Sequence, residues 1–181
     1  PWDLLTPYRE TAAAYPGGAI DLAIGTPIDA CPDSAQAALQ AGANSPGYPA
    51  VAGSPQLRGA IVNWARRRGI TCLSEDSCLP TVGSKELIAS LGWQLGIGGG
   101  DKILFPEVAY PTYDICARLA GAQGIAVSHD ISTWPRDAAL VWLNTPANPT
   151  GWVASKDWLR EVVSWAREVG AVVASDECYR E

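Results

Sequence analysis

Two segments of the chain carry polar side chains of the kinds that bind and activate a flat heteroaromatic ligand. In the run 143–151, Asn148 stands on a proline-stiffened turn, and an apolar strand pattern further on ends at Asp176, shortly before Tyr179. A side-chain amide and a phenol can each donate a hydrogen bond, and a carboxylate can keep a ring nitrogen protonated. Asn-Pro and Thr-Gly alone are ordinary turn sequences. Together, the two segments predict a site for an aromatic cofactor.

We expect Asp176 to make the most important contact with this ligand. A carboxylate at the end of a buried strand is costly unless it is paired, and a protonated ring nitrogen is a partner that would keep it ionised. The alternative interpretation is a helix N-cap or a surface salt bridge.

Residues 82–85 predict a phosphate site, because they have the pattern of a strand end, a glycine turn at Gly83 and a helix start. Free backbone N–H groups and the helix dipole at that point favour a phosphate dianion. The alternative is a plain strand-to-helix turn in which Ser84 is the N-cap.

Tyr110 follows the predicted strand 102–105 and stands between Ala109 and Pro111. An aromatic ring at this place could lie flat on a planar ligand. The alternative is a loop tyrosine with no contact to a ligand.

Three other patterns are interpreted as structural. The run 96–101 looks like a dinucleotide-binding fingerprint, but it follows a helix and precedes a strand, whereas that fingerprint follows a strand and opens a helix. We therefore expect a helix C-cap and a loop there. The basic run 66–68 closes a helical pattern, where cations suit the negative end of the helix dipole. His129, the only histidine, is expected to face a loop or solvent.

Composition limits the class of protein. With 181 residues, 48% of them hydrophobic, the chain is long enough for one well-buried core, and its formal net charge of −6 argues against a nucleic-acid partner. The five cysteines form no CxxC pair, which predicts no metal site and favours a reducing cytoplasm. No apolar stretch reaches the roughly 18 residues of a membrane span, and no segment has a signal-peptide pattern. We therefore predict a cytoplasmic protein without a membrane partner.

Apolar periodicity predicts the elements that must position these residues. Helical spacing occurs in residues 55–68, 84–95, 112–120 and 155–169. Short apolar runs bounded by turn residues indicate strands at 78–82, 102–105, 125–128, 138–143 and 171–175. This alternation predicts an α/β fold, a three-layer doubly wound structure with a mostly parallel sheet. Ligands bind such sheets at the edge where the strands end.

The motifs in this order resemble those of the class I and II aminotransferases, which are pyridoxal phosphate (PLP) dependent enzymes of fold type I. The resemblance passes through residues 24–27, 47–49, 53–58, 83–86, 105–111, 143–151 and 175–179. It implies PLP as the cofactor, amino acids and 2-oxo acids as substrates, and a chain that is the N-terminal half of a longer enzyme. Residues 1–45 would form an N-terminal arm and a segment of the small domain. Residues 46–181 would form part of the PLP-binding large domain, with its C-terminal remainder absent.

The resemblance also implies roles for single residues around the cofactor. Gly83, the backbone of Ser84 and Lys85, and the Ser84 hydroxyl would hold the phosphate, and Tyr110 would stack on the pyridine ring. Asp176 would pair with the ring nitrogen. Asn148 and Tyr179 would hydrogen-bond the ring's 3-oxygen.

Two further roles implied by the resemblance lie near the N-terminus. Tyr48 would reach the PLP phosphate of the other subunit, which implies a homodimer, and Gly25 would lie near the substrate's carboxylate. The alternatives are an ordered turn around Tyr48 and a strand end at Gly25.

The family holds its cofactor through a lysine that this chain lacks, because none of Lys85, Lys102 and Lys156 stands at that position. We therefore expect the chain alone not to transaminate. Residues 145–151 and 176–181 and the tryptophan-rich loops are similar to the succinyldiaminopimelate aminotransferase branch of high-GC actinobacteria, which implies lysine biosynthesis with glutamate as the amino donor. The alternatives are a C–S lyase or other β-eliminating enzyme on the same scaffold, a non-catalytic PLP-binding regulatory domain, and a Rossmann dehydrogenase.

Overall fold

The computed structural model of the chain describes residues 2–20, 22, 25 and 27–180. The chain divides into two units, Pro1–Tyr48 and Pro49–Glu181. The first contains helices α1 (Thr6–Ala13) and α2 (Asp33–Gly42), and no described residue in it is buried. Sequence periodicity predicted neither helix, because a helix that buries no side chain has no apolar stripe to detect. The assignment of these units to an arm and a large domain stays a prediction.

The second unit is built on a parallel sheet with the strand order β2-β1-β3-β4. Its strands are β1 (Lys102–Pro106), β2 (Gln123–Val127), β3 (Ala138–Asn144) and β4 (Val172–Asp176). Its helices are α3 (Pro55–Arg67), α4 (Ser84–Gln94), α5 (Thr112–Ala120) and α6 (Lys156–Val169). The predicted α/β class with a parallel sheet is confirmed.

The sheet is apolar on both faces, so it carries two cores. Along β3, neighbouring side chains point to opposite faces, and Leu140 packs into one cluster while Val141 packs into the other. One cluster joins the sheet to Val162, Trp165 and Ala166 of α6, and the other joins it to residues of α4 and α5. Two helical layers around one sheet make the three-layer arrangement.

Helix boundaries follow their capping residues. Ser54 accepts a hydrogen bond from the Leu57 N–H, and Ser155 accepts one from the Trp158 N–H, both at 3.1 Å. Gly170 ends α6 in the left-handed conformation. These caps explain why the predicted helices at 55–68 and 155–169 agree with the structure to within a residue at each end.

The predicted strand at 78–82 is wrong. These residues form an irregular segment, in which Pro80 has no N–H to donate to a ladder. No described strand lies beside the segment to accept its other backbone hydrogen bonds. An apolar run alone therefore did not suffice for a strand.

The helical spacing of Leu57, Ile61, Trp64 and Ala65 predicts that these side chains form the apolar face of α3, which is correct only in part. Leu57 and Trp64 are largely exposed, whereas Val62 and Ala65 are buried. Trp64 instead supports the Arg68 guanidinium, which lies 4.2 Å from the centre of its ring. Among the described residues, no helix is long and apolar enough to span a bilayer.

Candidate active site

One cavity of about 170 Å³ lies where β3 and β4 end and α4 begins. Six of the residues predicted from sequence line it together: Ser84, Lys85, Tyr110, Asn148, Asp176 and Tyr179. Four residues that no pattern predicted complete the wall: Ile88, Tyr113, Asn144 and Cys178. The cavity opens to solvent, since several of these side chains are exposed.

The first turn of α4 offers backbone N–H groups to this cavity. Gly83 is the N-cap residue, with φ of +84°, and no side chain caps the helix. Ser84 is therefore the first helical residue and not the cap that one interpretation expected. Helix starts leave their first N–H groups without a partner inside the helix, so this turn can receive an anion. Glycine at position 83 is favoured by its positive φ and not by crowding, since a Cβ there would meet no atom within 4 Å.

Asp176 is the last residue of β4 and is held on both carboxylate oxygens. The Tyr113 hydroxyl donates to Oδ2 at 2.8 Å, and the Cys178 N–H donates to Oδ1 at 3.2 Å. No described residue forms a salt bridge with it, and it caps no described helix. Each carboxylate oxygen accepts two hydrogen bonds, so Asp176 retains capacity for a further donor in the cavity.

Asn144 ties the ends of β3 and β4 to the turn that follows. It lies beside Asp176 in the strand register and is buried. Its amide nitrogen donates to the carbonyls of Asp176 (3.1 Å) and Pro146 (3.2 Å), and its oxygen accepts from the Asn148 N–H at 2.7 Å. The signal that could have found it is a polar residue at the end of an otherwise apolar strand.

Asn148 and Tyr179 contact each other at the mouth of the cavity. The Asn148 amide nitrogen donates to the Tyr179 hydroxyl at 3.1 Å. The peptide bonds before Pro146 and Pro149 are cis in this turn. Since the Tyr179 oxygen accepts from Asn148, its own proton is free to be donated to a ligand.

Tyr113 is the largest fully buried side chain that lines the cavity. Its ring packs at a tilt against Trp142, with centroids 5.3 Å apart, and meets the Tyr110 ring edge-on at 6.4 Å. Burial, and then the hydrogen bond to Asp176, hold the pKa of Tyr113 well above its ordinary value. The phenol therefore stays protonated and acts as a donor. Its signal in the sequence is its position one helical turn after Tyr110.

Cys178 has a thiol that the site keeps protonated. Partial burial, followed by the negative charge of Asp176, raises the pKa of Cys178 to about 11 from 9.0. Only the thiolate alkylates, so the rate of iodoacetamide labelling at Cys178 should still rise about tenfold per pH unit from pH 7 to pH 10. Peptide mass spectrometry after timed labelling measures this rate. The denatured chain is the control, in which the profile should level off near the ordinary pKa, and a plateau near pH 9 in the folded protein would contradict the assignment.

Two predicted site residues belong to the first unit of the chain. Tyr48 and Gly25 are both exposed there. Ile24 and Thr26, which flank Gly25, lie outside the described residues. The roles of Tyr48 and Gly25 stay predictions.

Two patterns interpreted as structural are not part of this cavity. The run 96–101 ends α4 and forms the loop before β1, as expected, and Asp101 accepts a hydrogen bond there from the Gly98 N–H. His129 is exposed after β2 and stacks on Trp152, with centroids 3.9 Å apart. It lines a separate cavity of about 110 Å³.

Comparison with known proteins identifies the family of the chain. The family described as aminotransferase class I and II matches residues 18–181. A 4-dedimethylamino-4-oxo-anhydrotetracycline transaminase of Streptomyces rimosus is 49% identical over 181 residues, which cover 100% of this chain and 50% of the relative. An LL-diaminopimelate aminotransferase of Desulforudis audaxviator is 37% identical over 90% of this chain and 45% of its own length.

A solved structure shares the fold. The probable N-succinyldiaminopimelate aminotransferase of Thermus thermophilus superposes with a TM-score of 0.85 at 28% identity, covering 97% of this chain and 51% of that one. The chain thus spans about half the length of the curated relatives it matches. With the family match, the parallel sheet and the ordered motifs in agreement, the chain belongs to the class I and II aminotransferases, a family that depends on PLP.

Proposed function

We propose that this chain forms the PLP-binding part of an aminotransferase and that the cavity at the ends of β3 and β4 holds the cofactor. The observation that carries the proposal is the shared cavity, in which an uncapped helix start and a fixed carboxylate occur together. PLP has an anion and a basic ring nitrogen, which are the two groups that these features recognise.

The donors present fit the remaining parts of this cofactor. Tyr110 places an aromatic ring on the cavity wall, where it would stack on a pyridine ring. The Tyr179 hydroxyl and the second N–H of the Asn148 amide are both available for a phenolic oxygen. The phosphate, the ring nitrogen and the 3-oxygen of PLP thus each have a candidate partner in the cavity.

The chemistry follows from these contacts. Bound PLP supplies an electron sink for the carbanion formed at the α-carbon of the amino acid. Asp176 would accept the ring N–H and keep that nitrogen charged, and Asn148 and Tyr179 would hydrogen-bond the ring's 3-oxygen. The first turn of α4 would anchor the phosphate.

We also propose a substrate and an assembly. The amino group passes between glutamate and a 2-oxo acid, and N-succinyl-diaminopimelate, a compound of lysine biosynthesis, is the proposed amino-acid partner of that 2-oxo acid. The names of two similar proteins, both diaminopimelate aminotransferases, support this choice. The working enzyme is a homodimer in which Tyr48 acts across the interface and Gly25 lies near the substrate's carboxylate. Residues 1–45 belong to the arm and small domain.

The test uses the complete natural polypeptide loaded with PLP. Borohydride reduction should leave a PLP-sized mass adduct, and glutamate with a 2-oxo acid should give stoichiometric 2-oxoglutarate. Failure to retain PLP would overturn the cofactor site. Release of pyruvate and ammonia without any need for a 2-oxo acid would instead identify an eliminating enzyme. Faster turnover of an oxo-tetracycline precursor than of the succinylated substrate would overturn the substrate proposal, since one relative carries that name.

Tyr110→Ala should weaken PLP retention more than it weakens folding. Tyr110 is only half-buried, and the lost stacking corresponds to about 1 kcal/mol, or a fivefold to tenfold rise in the Kd of the cofactor. Equilibrium dialysis against PLP measures the Kd, and urea unfolding of the cofactor-free protein measures stability. Tyr110→Phe keeps the ring and is the control. Equal cofactor affinity in Tyr110→Ala and wild type would contradict the stacking role.

A further inference from the structure

We propose that Tyr113 is a positioning residue that holds the Asp176 carboxylate in the orientation and charge state needed to pair with the cofactor's ring nitrogen. The inference rests on the proposed PLP site and adds to it a residue for which no motif gave a role. The observation behind it is the hydrogen bond from the Tyr113 hydroxyl to Asp176 Oδ2 at 2.8 Å.

The orientation of the phenol is set by packing. Tyr113 is fully buried on the first turn of α5, and Trp142 and Tyr110 flank its ring. An aromatic ring held on its sides cannot swing its hydroxyl to another acceptor. The hydrogen bond therefore fixes Asp176 to the core of the second unit.

Two donors on different oxygens define the plane of the carboxylate. Tyr113 binds Oδ2, and the Cys178 N–H binds Oδ1. With only the Cys178 bond, the carboxylate of Asp176 could rotate about its side-chain torsion, whose energy wells are broad for this residue type. A ring nitrogen would then meet a moving acceptor.

The hydrogen bond from the Tyr113 hydroxyl also favours the ionised form of the Asp176 carboxylate. A neutral donor to a carboxylate stabilises the ionised form, and burial raises the pKa of Tyr113 so that it stays a donor throughout the working pH range. Without that donor, the proton shared by Asp176 and the ring nitrogen would move toward the carboxylate. The ring N–H bond would break as an O–H bond forms on Asp176, and the neutral ring would be a poorer electron sink.

Tyr113 also contacts the proposed stacking residue. Its ring meets Tyr110 edge-on, and its N–H donates to the Tyr110 carbonyl at 3.3 Å. Tyr113 therefore positions both Tyr110, which we propose to stack on the cofactor ring, and Asp176, which we propose to keep the ring nitrogen charged.

The experiment compares the complete protein with its Tyr113→Phe variant, using pyridoxamine 5′-phosphate labelled with ¹⁵N at the ring as the probe. We expect the ring ¹⁵N resonance to move from the pyridinium position toward neutral pyridine and the Kd of the probe to rise about tenfold, as for loss of a hydrogen bond to a charged group. Turnover should fall through kcat, with KM little changed. An isosteric second variant carries 3-fluorotyrosine at position 113, which is a stronger donor and should move the resonance in the opposite direction.

Cys116→Ala is the matched control, because Cys116 is also fully buried on α5, one turn further along, and has no hydrogen bond to Asp176. It should leave the resonance at the wild-type position. If wild type binds the probe but both variants at position 113 keep the wild-type resonance and Kd, the role of Tyr113 is overturned while the cofactor site stands. If wild type does not bind the probe, the proposed function fails and this inference fails with it.

Discussion

Asp176→Ala is expected to abolish transamination in the complete protein while leaving its fold intact. Without the carboxylate, the ring nitrogen loses the partner that we propose keeps it charged, and we expect kcat to fall roughly 1,000-fold, or about 4 kcal/mol in the activation barrier. The fold should survive because Asp176 is only half-buried and its backbone ladder to β3 does not involve the side chain. The stability cost is that of leaving the Tyr113 hydroxyl without its acceptor, about 1–3 kcal/mol. Steady-state turnover of glutamate and urea unfolding of the cofactor-free protein measure the two effects.

Two variants separate charge from structure. Asp176→Asn keeps an oxygen that can accept from Tyr113 but loses the negative charge, so it should fold like wild type and still lose activity. Asp137→Ala removes an exposed carboxylate that pairs with Lys102, and it should leave turnover unchanged. Near wild-type turnover in Asp176→Ala would contradict the assignment of this residue to the ring nitrogen.

Gly92→Val is expected to be the strongest destabilising substitution in α4. A Cβ at Gly92 would lie 2.9 Å from Ile103 Cδ1 and 3.2 Å from both Cys116 Sγ and the Ala120 Cβ. The helix therefore packs on β1 and α5 without room for a side chain, and overpacking of this kind costs about 3 kcal/mol of unfolding free energy. Urea unfolding followed by tryptophan fluorescence measures the change.

Two smaller substitutions test whether the loss of unfolding free energy depends on the size and place of the added side chain. Gly92→Ala should be milder, since the gain in helix propensity of about 1 kcal/mol offsets part of the clash. Gly99→Ala is the control, because a Cβ there would meet no atom within 4 Å and the backbone is not left-handed. A Gly92→Val variant as stable as the control would show that α4 can shift, which would also loosen the proposed phosphate site at its start.

The parts of the fold that were predictable are those whose burial shows directly in the residue pattern. Helix α5 begins and ends at the predicted residues, and β1, β3 and β4 occur where apolar runs indicated them. The six predicted cavity residues could be found because each follows a strand or opens a helix, where parallel α/β sheets place their ligands.

The residues that escaped prediction act through packing. Tyr113 looks like an ordinary core residue of an amphipathic helix, and its contact with Asp176 depends on how α5 crosses the sheet. Asn144 is similar, because its hydrogen bond to the Asp176 carbonyl depends on the register between β3 and β4. Its other two hydrogen bonds depend on the conformation of the turn after β3. The prediction of a strand at 78–82 was wrong for a related reason. A strand needs a neighbouring strand to pair with, and local sequence does not show whether one is present.

The order in which the ribosome makes these segments has a consequence for cofactor loading. The hydrogen bond between Tyr113 and Asp176 joins residues 63 apart, and β4 follows β1, β2 and β3 along the chain. A nascent chain therefore contains the proposed phosphate-binding turn at Ser84 well before the carboxylate that we propose to pair with the ring nitrogen is made. Such non-local contacts form slowly and only after their intervening elements have folded. The growing chain could hold a phosphate early but would become able to discriminate a pyridine ring only when β4 has docked beside β3.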